Sequence, residues 1–170
     1  MTFAEMNLND AERKLVVAAQ IGEVCNLQSK VEGENDPADG DAWGPERTID
    51  ADVIRRLCVG AYPGVTVDYR GVRLVGARIT GSLRLAHGVI NVPVLLDACH
   101  FDSPILMTGA EARTVSLAGS HFPALMAGGV VLPGALLMSG AVVGGWSVPK
   151  SGVMALQLDG ARISRSSSIG

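Results

Sequence analysis

The chain has few aromatic, charged and cysteine residues. Aromatic residues make up 4% and charged residues 18% of its 170 residues, while hydrophobic residues make up 48%. This composition is not that of a disordered tail, and the formal net charge of -3 excludes a generally basic nucleic-acid-binding protein. The three cysteines, Cys25, Cys58 and Cys99, are odd in number and form no CxxC pair. Their spacing argues against a disulfide framework or a zinc knuckle.

Targeting signals are also absent from the sequence pattern. Residues 1–10 lack the basic and apolar regions of a signal peptide. Glycine and proline interrupt every apolar run before it reaches the ~18 residues that a membrane helix needs. We therefore expect a cytoplasmic protein that has no transmembrane segment.

Glycine, in contrast, is abundant: 21 residues, or about 12% of the chain, against a usual ~7%. Charge is unevenly distributed, with a net of -6 over residues 1–70 and +3 over residues 71–170. This difference predicts two regions, a helical N-terminal cap with an acidic loop over residues 1–70 and a repetitive unit over residues 71–170.

The first region reads as two helices joined by a loop. Asn9 and Glu12 have the spacing of a capping box at the start of an amphipathic helix over residues 9–25. Residues 29–46 are polar, acidic and rich in glycine and proline, which indicates a loop. Residues 48–60 have acids at their start, arginines near their end and a closing glycine, which predicts a second short helix.

Residues after Gly71 contain an internal repeat of 20 to 22 residues. Gly76-Ala77-Arg78-Ile79 recurs as Gly160-Ala161-Arg162-Ile163, with related segments between them. One aligned column is large and apolar, namely Ile79, Phe101, Phe122, Val143 and Ile163. The column two residues earlier is small, namely Ala77, Cys99, Ser120, Ala141 and Ala161. The column before that is mostly glycine, namely Gly76, Ala98, Gly119, Gly140 and Gly160, and a weaker half-period copy holds Ile90, Ala112, Leu132 and Val153.

A period of about 21 residues with alternating large and small columns predicts a mainly β fold, a β-solenoid whose coils stack on one another. Small residues let the chain turn the corners of a narrow coil. Stacked coils rise by one strand spacing, so about five coils would make a rod ~24 Å long.

The columns resemble those of pentapeptide-repeat proteins, in which a large apolar residue lies at the centre of each face and a small residue two positions earlier. The resemblance implies a right-handed, four-sided β-solenoid. The Asp or Asn that often precedes the central residue in that family is replaced here, by Arg78, His100, His121, Val142 and Arg162. A closer resemblance is to a diverged bacterial, often actinobacterial, group that carries the Trp43–Thr48 stretch and the Gly76–Leu83 opening. Some members of that group carry an oxidoreductase label.

The side chains of the column that holds Arg78, His100, His121, Val142 and Arg162 should point outward, because the residues before and after each of them point inward. His100 and His121 would then stack on adjacent coils, as a metal pair, an anion-binding face or simply a solvated surface. We take Arg78, His100, His121 and Arg162 as a candidate interaction face, and Trp146 near a repeat corner as a candidate anchor for a partner.

Other chemistry has little support in the sequence. Cys99 falls in the small inward column and Cys25 and Cys58 on apolar helical stretches, so all three are expected to be buried thiols. The acidic residues of the loop lack the order of a calcium loop. Fingerprints for dinucleotides, nucleotide phosphates and serine hydrolases do not occur. We therefore expect no catalytic residues, cofactor or metal.

A filled solenoid has no cavity, so its function must lie on its faces or ends. We predict a non-catalytic interaction or scaffold protein with a protein partner. Residues 164–168 are almost all serine, and no capping helix follows the coil that begins at Gly160. The open coil end predicts a homodimer through the C-terminal coil. The alternatives are a DNA-mimicking gyrase modulator, which would need a more acidic rod, and an oxidoreductase of unknown chemistry.

Overall fold

In a computed structural model the chain forms a β-solenoid with a helical N-terminal cap, and the structure describes residues 6–144 and 156–163. The described helices are α1 (Asp10–Ile21) and α2 (Ala51–Val59), with two 3-10 helices at Pro37–Ala42 and Pro45–Arg47. The described strands are short and are numbered in chain order: β1 (Cys25–Asn26), β2 (Thr48–Asp50), β3 (Val72–Val75), β4 (Arg78–Thr80), β5 (Leu83–Arg84), β6 (Val89–Ile90), β7 (Val94–Asp97), β8 (His100–Phe101), β9 (Ile105–Leu106), β10 (Glu111–Ala112), β11 (Val115–Ser116), β12 (His121–Phe122), β13 (Leu125–Met126), β14 (Val131–Leu132), β15 (Leu136–Leu137), β16 (Val142–Val143), β17 (Leu156–Gln157) and β18 (Arg162–Ile163).

The strands form four parallel sheets, one on each side of the coil. Sheet 1 has the order β1-β3-β7-β11-β15 and sheet 2 has the order β2-β4-β8-β12-β16. Sheet 3 has the order β5-β9-β13-β17 and sheet 4 has the order β6-β10-β14-β18. Successive strands of each sheet belong to successive coils, which is the arrangement of a four-sided solenoid. The predicted fold class is therefore confirmed.

The number of coils is smaller than the five that the repeat predicted. Three windings, from β3 to β14, are continuous, and strands of a fourth lie on all four sheets. The chain between β16 and β17 spans residues 144–155, whereas residues 123–124 alone join β12 to β13. This longer connection shifts the last repeat copy, so that Arg162 and Ile163 pair with Val131 and Leu132 of sheet 4. Val153, which was expected beside Leu132, lies outside the described residues.

Glycine and proline mark most corners of the coils. Left-handed backbone conformations occur between sheets 1 and 2 and again between sheets 3 and 4, mostly at glycine. The first corner stacks Gly76, Ala98, Gly119 and Gly140, and the second stacks His87, Gly109, Gly129 and Gly160. At the other two corners proline is common, at Pro93, Pro104, Pro123 and Pro133, but left-handed Gly81 follows β4 and left-handed Gly144 follows β16.

The cap continues the solenoid rather than merely lying beside it. Strand β1 adds to sheet 1 beside β3, and strand β2 adds to sheet 2 beside β4. Helix α1 packs on these strands, while α2 packs on β5 and β6. Their buried faces meet the coil interior in one apolar core, which includes Leu15, Val16, Ile54 and Leu57.

The first helix starts where the sequence predicts but ends earlier, at Ile21 instead of residue 25, because Gly22 is left-handed and Cys25 lies in β1. Asn9 Oδ1 accepts a hydrogen bond from Glu12 N at 2.8 Å, and the Glu12 carboxylate accepts one from Asn9 N at 2.9 Å. This is the predicted capping box, and α1 ends before Gly22 in a left-handed conformation. The second predicted helix begins later than expected, because residues 48–50 pair as β2 and Asp50 is the N-cap of α2. No helix among the described residues is long and apolar enough to cross a membrane.

Candidate interaction face

Three of the predicted surface residues lie in one column of sheet 2. Arg78 is the register partner of His100, and His100 is the register partner of His121. Val142 follows His121 on the next coil. The predicted stacking of the two histidines on adjacent coils is therefore confirmed. Arg162 does not join this column, because it lies on sheet 4 beside Val131, and Trp146 lies outside the described residues.

Arg78 is held in place by an ion pair across two coils. Its Nε lies 3.0 Å from Asp102 Oδ1, and its Nη2 lies 2.9 Å from Asp102 Oδ2. This two-pronged geometry is the strong form of an arginine–carboxylate contact. The hydrogen bonds that Arg78 donates to the Asp102 carboxylate are the main cause that raises the pKa of Arg78 above its ordinary value. Both side chains remain partly exposed. Because they are paired, their opposite charges largely neutralise each other at the surface of sheet 2.

His100 points away from the coil but is buried, which corrects the expectation of a solvent-facing side chain. The 3-10 helix at Pro37–Ala42 lies over it, and His100 Nδ1 is 2.8 Å from Pro37 O. A Cβ at Gly40 would lie 2.1 Å from His100 Cβ, so the segment can approach this closely only with glycine at that position. His100 Nε2 lies 3.5 Å from Asp102 Oδ1 on the other side of the ring.

The accessible side chains of this face lie on the coils on either side of His100, together with its neighbour Asp102. His121 is half-buried and Val142 is exposed. Arg78 and Asp102 lie on the coils before them. We call His121, Val142 and the Arg78–Asp102 pair the open part of sheet 2. It combines an imidazole, an apolar side chain and a fixed ion pair, and such a mixture can bind a protein surface through both polar and apolar contacts.

The loop between α1 and α2 builds a second concave feature that the sequence did not predict. A cleft of about 610 Å³ is lined by residues of α1, of the segment after β1 and of the loop up to Arg47. The Arg47 guanidinium lies 3.6 Å from the centre of the Trp43 ring, and Trp43 Nε1 and Arg47 Nη1 both donate to Glu34 O at 3.0 Å. Arg47 Nε also donates to Gly76 O at 2.9 Å, which ties the loop to the first solenoid corner.

The role of this arrangement is chiefly structural. Arg47 is 5% exposed, and burial is the main cause that lowers its pKa below the ordinary value. The spacing of Trp43 and Arg47 was visible in the sequence as part of the Trp43–Thr48 stretch, but nothing in it indicated stacking. The signal that could have suggested it is an aromatic residue four positions before an arginine in a loop full of turn residues.

Metal-binding and thiol chemistry find little support among the described residues. No group of three or more His, Cys, Asp or Glu side chains there could hold a metal ion. Cys25, Cys58 and Cys99 are buried free thiols, as predicted. Burial raises the pKa of Cys25 to about 11 and the pKa values of Cys58 and Cys99 to about 12. Such thiols are poor nucleophiles at neutral pH, because the reactive thiolate is scarce.

No protein-family model, curated protein or solved structure matches the chain significantly.

Proposed function

We propose that the protein is a non-catalytic interaction module that binds a protein partner through the outer faces of its solenoid. The filled interior of the described coils is the observation that carries this proposal. The large column of Ile79, Phe101 and Phe122 is fully buried, and Phe101 meets Phe122 edge to face with ring centres 6.0 Å apart. Because the interior of the coils is closely packed, only side chains on the surface can recognise a partner.

The small inward column supports the same reading. Ser120 Oγ donates to Leu96 O at 2.7 Å and accepts from Cys99 N at 3.0 Å, so its hydroxyl is engaged between coils. Cys99 is fully buried, and the pKa of its thiol is raised to about 12 by burial. Neither side chain is available to a substrate, and this favours a binding role over an enzymatic one.

Within the outer surface, the open part of sheet 2 is the best-supported contact site. Three of its residues lie on β4, β12 and β16, and Asp102 directly follows β8, so all four are carried by one stack of parallel strands. A preorganised surface loses little conformational freedom on binding. Cationic Arg78 is already neutralised by Asp102, so we expect a partner that offers polar and apolar groups rather than a dense patch of charge.

We also propose that the solenoid is a diverged member of the pentapeptide-repeat type. The pairing of a buried large residue with a buried small residue two positions earlier supports this, at Ala77 with Ile79 and at Cys99 with Phe101. The four parallel sheets support it as well. DNA mimicry has less support, because the solenoid region carries few acids and one of them, Asp102, is paired with Arg78.

The test combines partner capture with reconstitution. The full chain is used to isolate partners from its source cells, and each partner is then purified and its dissociation constant measured. We expect Val142→Lys or His121→Ala to weaken binding about tenfold or more, since residues at the centre of an interface carry most of its energy.

Val89→Lys is the matched control, because Val89 is an exposed aliphatic residue on sheet 4, away from this face. It should leave the affinity unchanged. A partner that binds all variants equally would contradict the assignment of the face. A purified protein whose absorbance spectrum shows bound flavin or nicotinamide would favour the enzymatic alternative instead.

A further inference from the structure

The cleft beside α1 contains a buried cation with an incomplete set of hydrogen bonds. Arg47 Nε and Nη1 donate to Gly76 O and Glu34 O, whereas Arg47 Nη2 is buried and has no acceptor among the described residues. Leaving a buried donor of a charged group without an acceptor is costly, because the group has lost its water and gained no partner. An oxygen atom supplied by a bound molecule would complete the set.

The cleft is the side from which such an oxygen can approach. Arg47 forms part of its wall, together with Trp43 and Gly44. The Trp43 ring covers one face of the guanidinium at 3.6 Å, and the acceptors at Nε and Nη1 occupy two of its edges. Because Nη2 is closed off from solvent, an oxygen reaches it through a small shift of Trp43 or of a neighbouring loop side chain.

Lys14 brings a second donor to the same cleft. It is exposed on α1 and lines the cleft, and it makes no hydrogen bond or ion pair with any residue that the structure describes. Its neighbour Arg13, in contrast, contacts Asp10 at 2.8 Å. Helix α1 packs on the 3-10 helix that ends at Arg47, so both cations line one cavity. Together they can bind one carboxylate, which has an oxygen for each of them.

Carboxylates line the cleft beside these donors. A Cβ at Gly44 would lie 2.4 Å from Glu46 Oε2, so the Glu46 carboxylate is folded back over Gly44. Asp39 is exposed and also lines the cleft. Glu34, the third acid of the lining, accepts a hydrogen bond from Ser29 Oγ at 2.5 Å and is thereby engaged. The lining therefore holds two cations and three anions.

This balance of charge selects the kind of ligand. A phosphate or another multiply charged anion would be repelled by the carboxylates, and a cation alone would leave Arg47 Nη2 without an acceptor. A molecule with one carboxylate and one ammonium group satisfies both kinds of side chain. The cavity volume of about 610 Å³ lies within the ~300–1,000 Å³ of small-molecule sites.

We propose that the cleft binds a free α-amino acid. Its carboxylate accepts hydrogen bonds from Arg47 Nη2 and Lys14 Nζ. Its ammonium group donates to the carboxylates of Glu46 and Asp39. The exposed amide of Gln28 lies in the lining and can hydrogen-bond with a polar side chain of the ligand. The site lies on the cap and not on the open part of sheet 2, so this inference is independent of the proposed protein partner.

The test is isothermal titration calorimetry of the full chain with each of the non-aromatic L-α-amino acids. We expect at least one of them to bind with a dissociation constant below about 1 mM. Its N-acetyl derivative, which lacks the ammonium group, and its amide, which lacks the carboxylate, should each bind at least about tenfold more weakly. Inorganic phosphate should show no binding at ~10 mM.

Two exposed residues test the site without disturbing the buried Arg47. Lys14→Gln should weaken amino-acid binding about tenfold. Lys30→Gln, at an exposed lysine outside the cleft lining, is the matched control and should leave the affinity unchanged. Glu46→Gln should weaken binding of the amino acid about tenfold but should not weaken binding of its N-acetyl derivative, which has no ammonium group to lose. Circular dichroism of each variant checks that the cap remains folded.

Fluorescence places the ligand within the molecule. In a Trp146→Phe chain Trp43 is the only tryptophan, and its emission should change over the same ligand concentrations as the heat of binding.

Three results would overturn the inference. The absence of both heat and emission change for every amino acid up to ~10 mM would show that the cleft binds none of them. Equal affinities for the amino acid and its two derivatives would contradict the pairing of charges. Binding that Lys14→Gln leaves unchanged would place the site elsewhere, and none of these results would affect the test of the protein partner.

Discussion

The cap and the coils of this molecule are held together in different ways. In residues 71–144 the same shapes recur on each coil, and buried apolar columns fill the interior. In residues 6–70 specific polar contacts join segments that are far apart in the chain, such as Arg47 with Gly76 and Asn9 with Thr48. The coils thus depend chiefly on side-chain volume, whereas the cap adds long-range hydrogen bonds to its share of the common apolar core. Substitutions can test this distinction, because each mechanism has a different sensitivity.

The largest effect is expected from the interior of the coils. Phe101→Ala removes a fully buried ring that packs on Phe122, and it should lower the free energy of unfolding by about 3–5 kcal/mol. Denaturant unfolding followed by circular dichroism measures the change. Tyr69→Ala, at a residue that is largely exposed, should cost less than about 0.5 kcal/mol. Equal losses in the two variants would contradict the idea that volume stabilises the coils.

In the cap, the substitution with the largest effect on stability should be one that breaks a buried hydrogen bond. Glu12 is buried, and its two carboxylate oxygens accept hydrogen bonds from Asn9 N and from Asp50 N, at the starts of α1 and α2. Glu12→Gln keeps the volume but turns an amide donor toward one of these N–H groups, which should cost about 2 kcal/mol. The same denaturation experiment measures it, with Glu23→Gln on the surface as the control. A neutral Glu12→Gln would show that shape, not hydrogen bonding, holds the cap.

Disrupting the contact between the cap loop and His100 of the coils should reduce stability less and affect mainly the loop. Gly40→Ala places a Cβ against His100 and should displace the segment at Pro37–Ala42, at a cost of about 1–2 kcal/mol. Limited proteolysis should then cut within residues 29–46 faster than in the unchanged chain. Gly128→Ala is the control, since its Cβ would meet its nearest neighbour at an ordinary 3.4 Å. Unchanged cleavage would mean that the segment does not rest on His100.

The smallest effect is a gain in stability. Ala98 has φ 50°, whereas the glycines stacked with it have φ between 66° and 75°. Ala98→Gly removes a left-handed strain of ~1–2 kcal/mol but adds flexibility to the unfolded chain, for a net gain of about 0.5 kcal/mol. Thermal unfolding measures the shift. Ala77→Gly, at a buried position without this strain, should be destabilising, and a loss in both variants would argue against strain at Ala98.

The coils could be predicted from the sequence because each coil carries the same pattern of large and small residues. The columns at Ile79, Phe101 and Phe122 lie in register as expected, and so do the small residues before them. The misplacement of Arg162 has a physical cause: a fixed period cannot register a coil whose connection is longer, as it is between β16 and β17. The start of α1 at Asn9 and the end of α2 at Gly60 could also be predicted, because a helix cap depends only on residues within one turn.

The candidate site was less predictable, because its decisive contacts occur once. His100 looked like a surface residue, since its neighbours Cys99 and Phe101 point inward. It is covered by Gly40, which lies 60 positions earlier and belongs to no repeat. The stacking of Arg47 on Trp43 is another unique contact. Single contacts between distant segments leave no periodic trace, so a single sequence does not reveal them.

The register of β7 with β11, where Val94 pairs with Val115, has an evolutionary consequence. A stretch of 21 residues starting at Val94 returns the chain to the same side of the stack, one strand spacing further along. Duplicating or deleting such a stretch would lengthen or shorten the rod while every remaining layer kept an equivalent neighbour above and below. Genes for this architecture can therefore grow in whole layers, with the N-terminal helices unchanged.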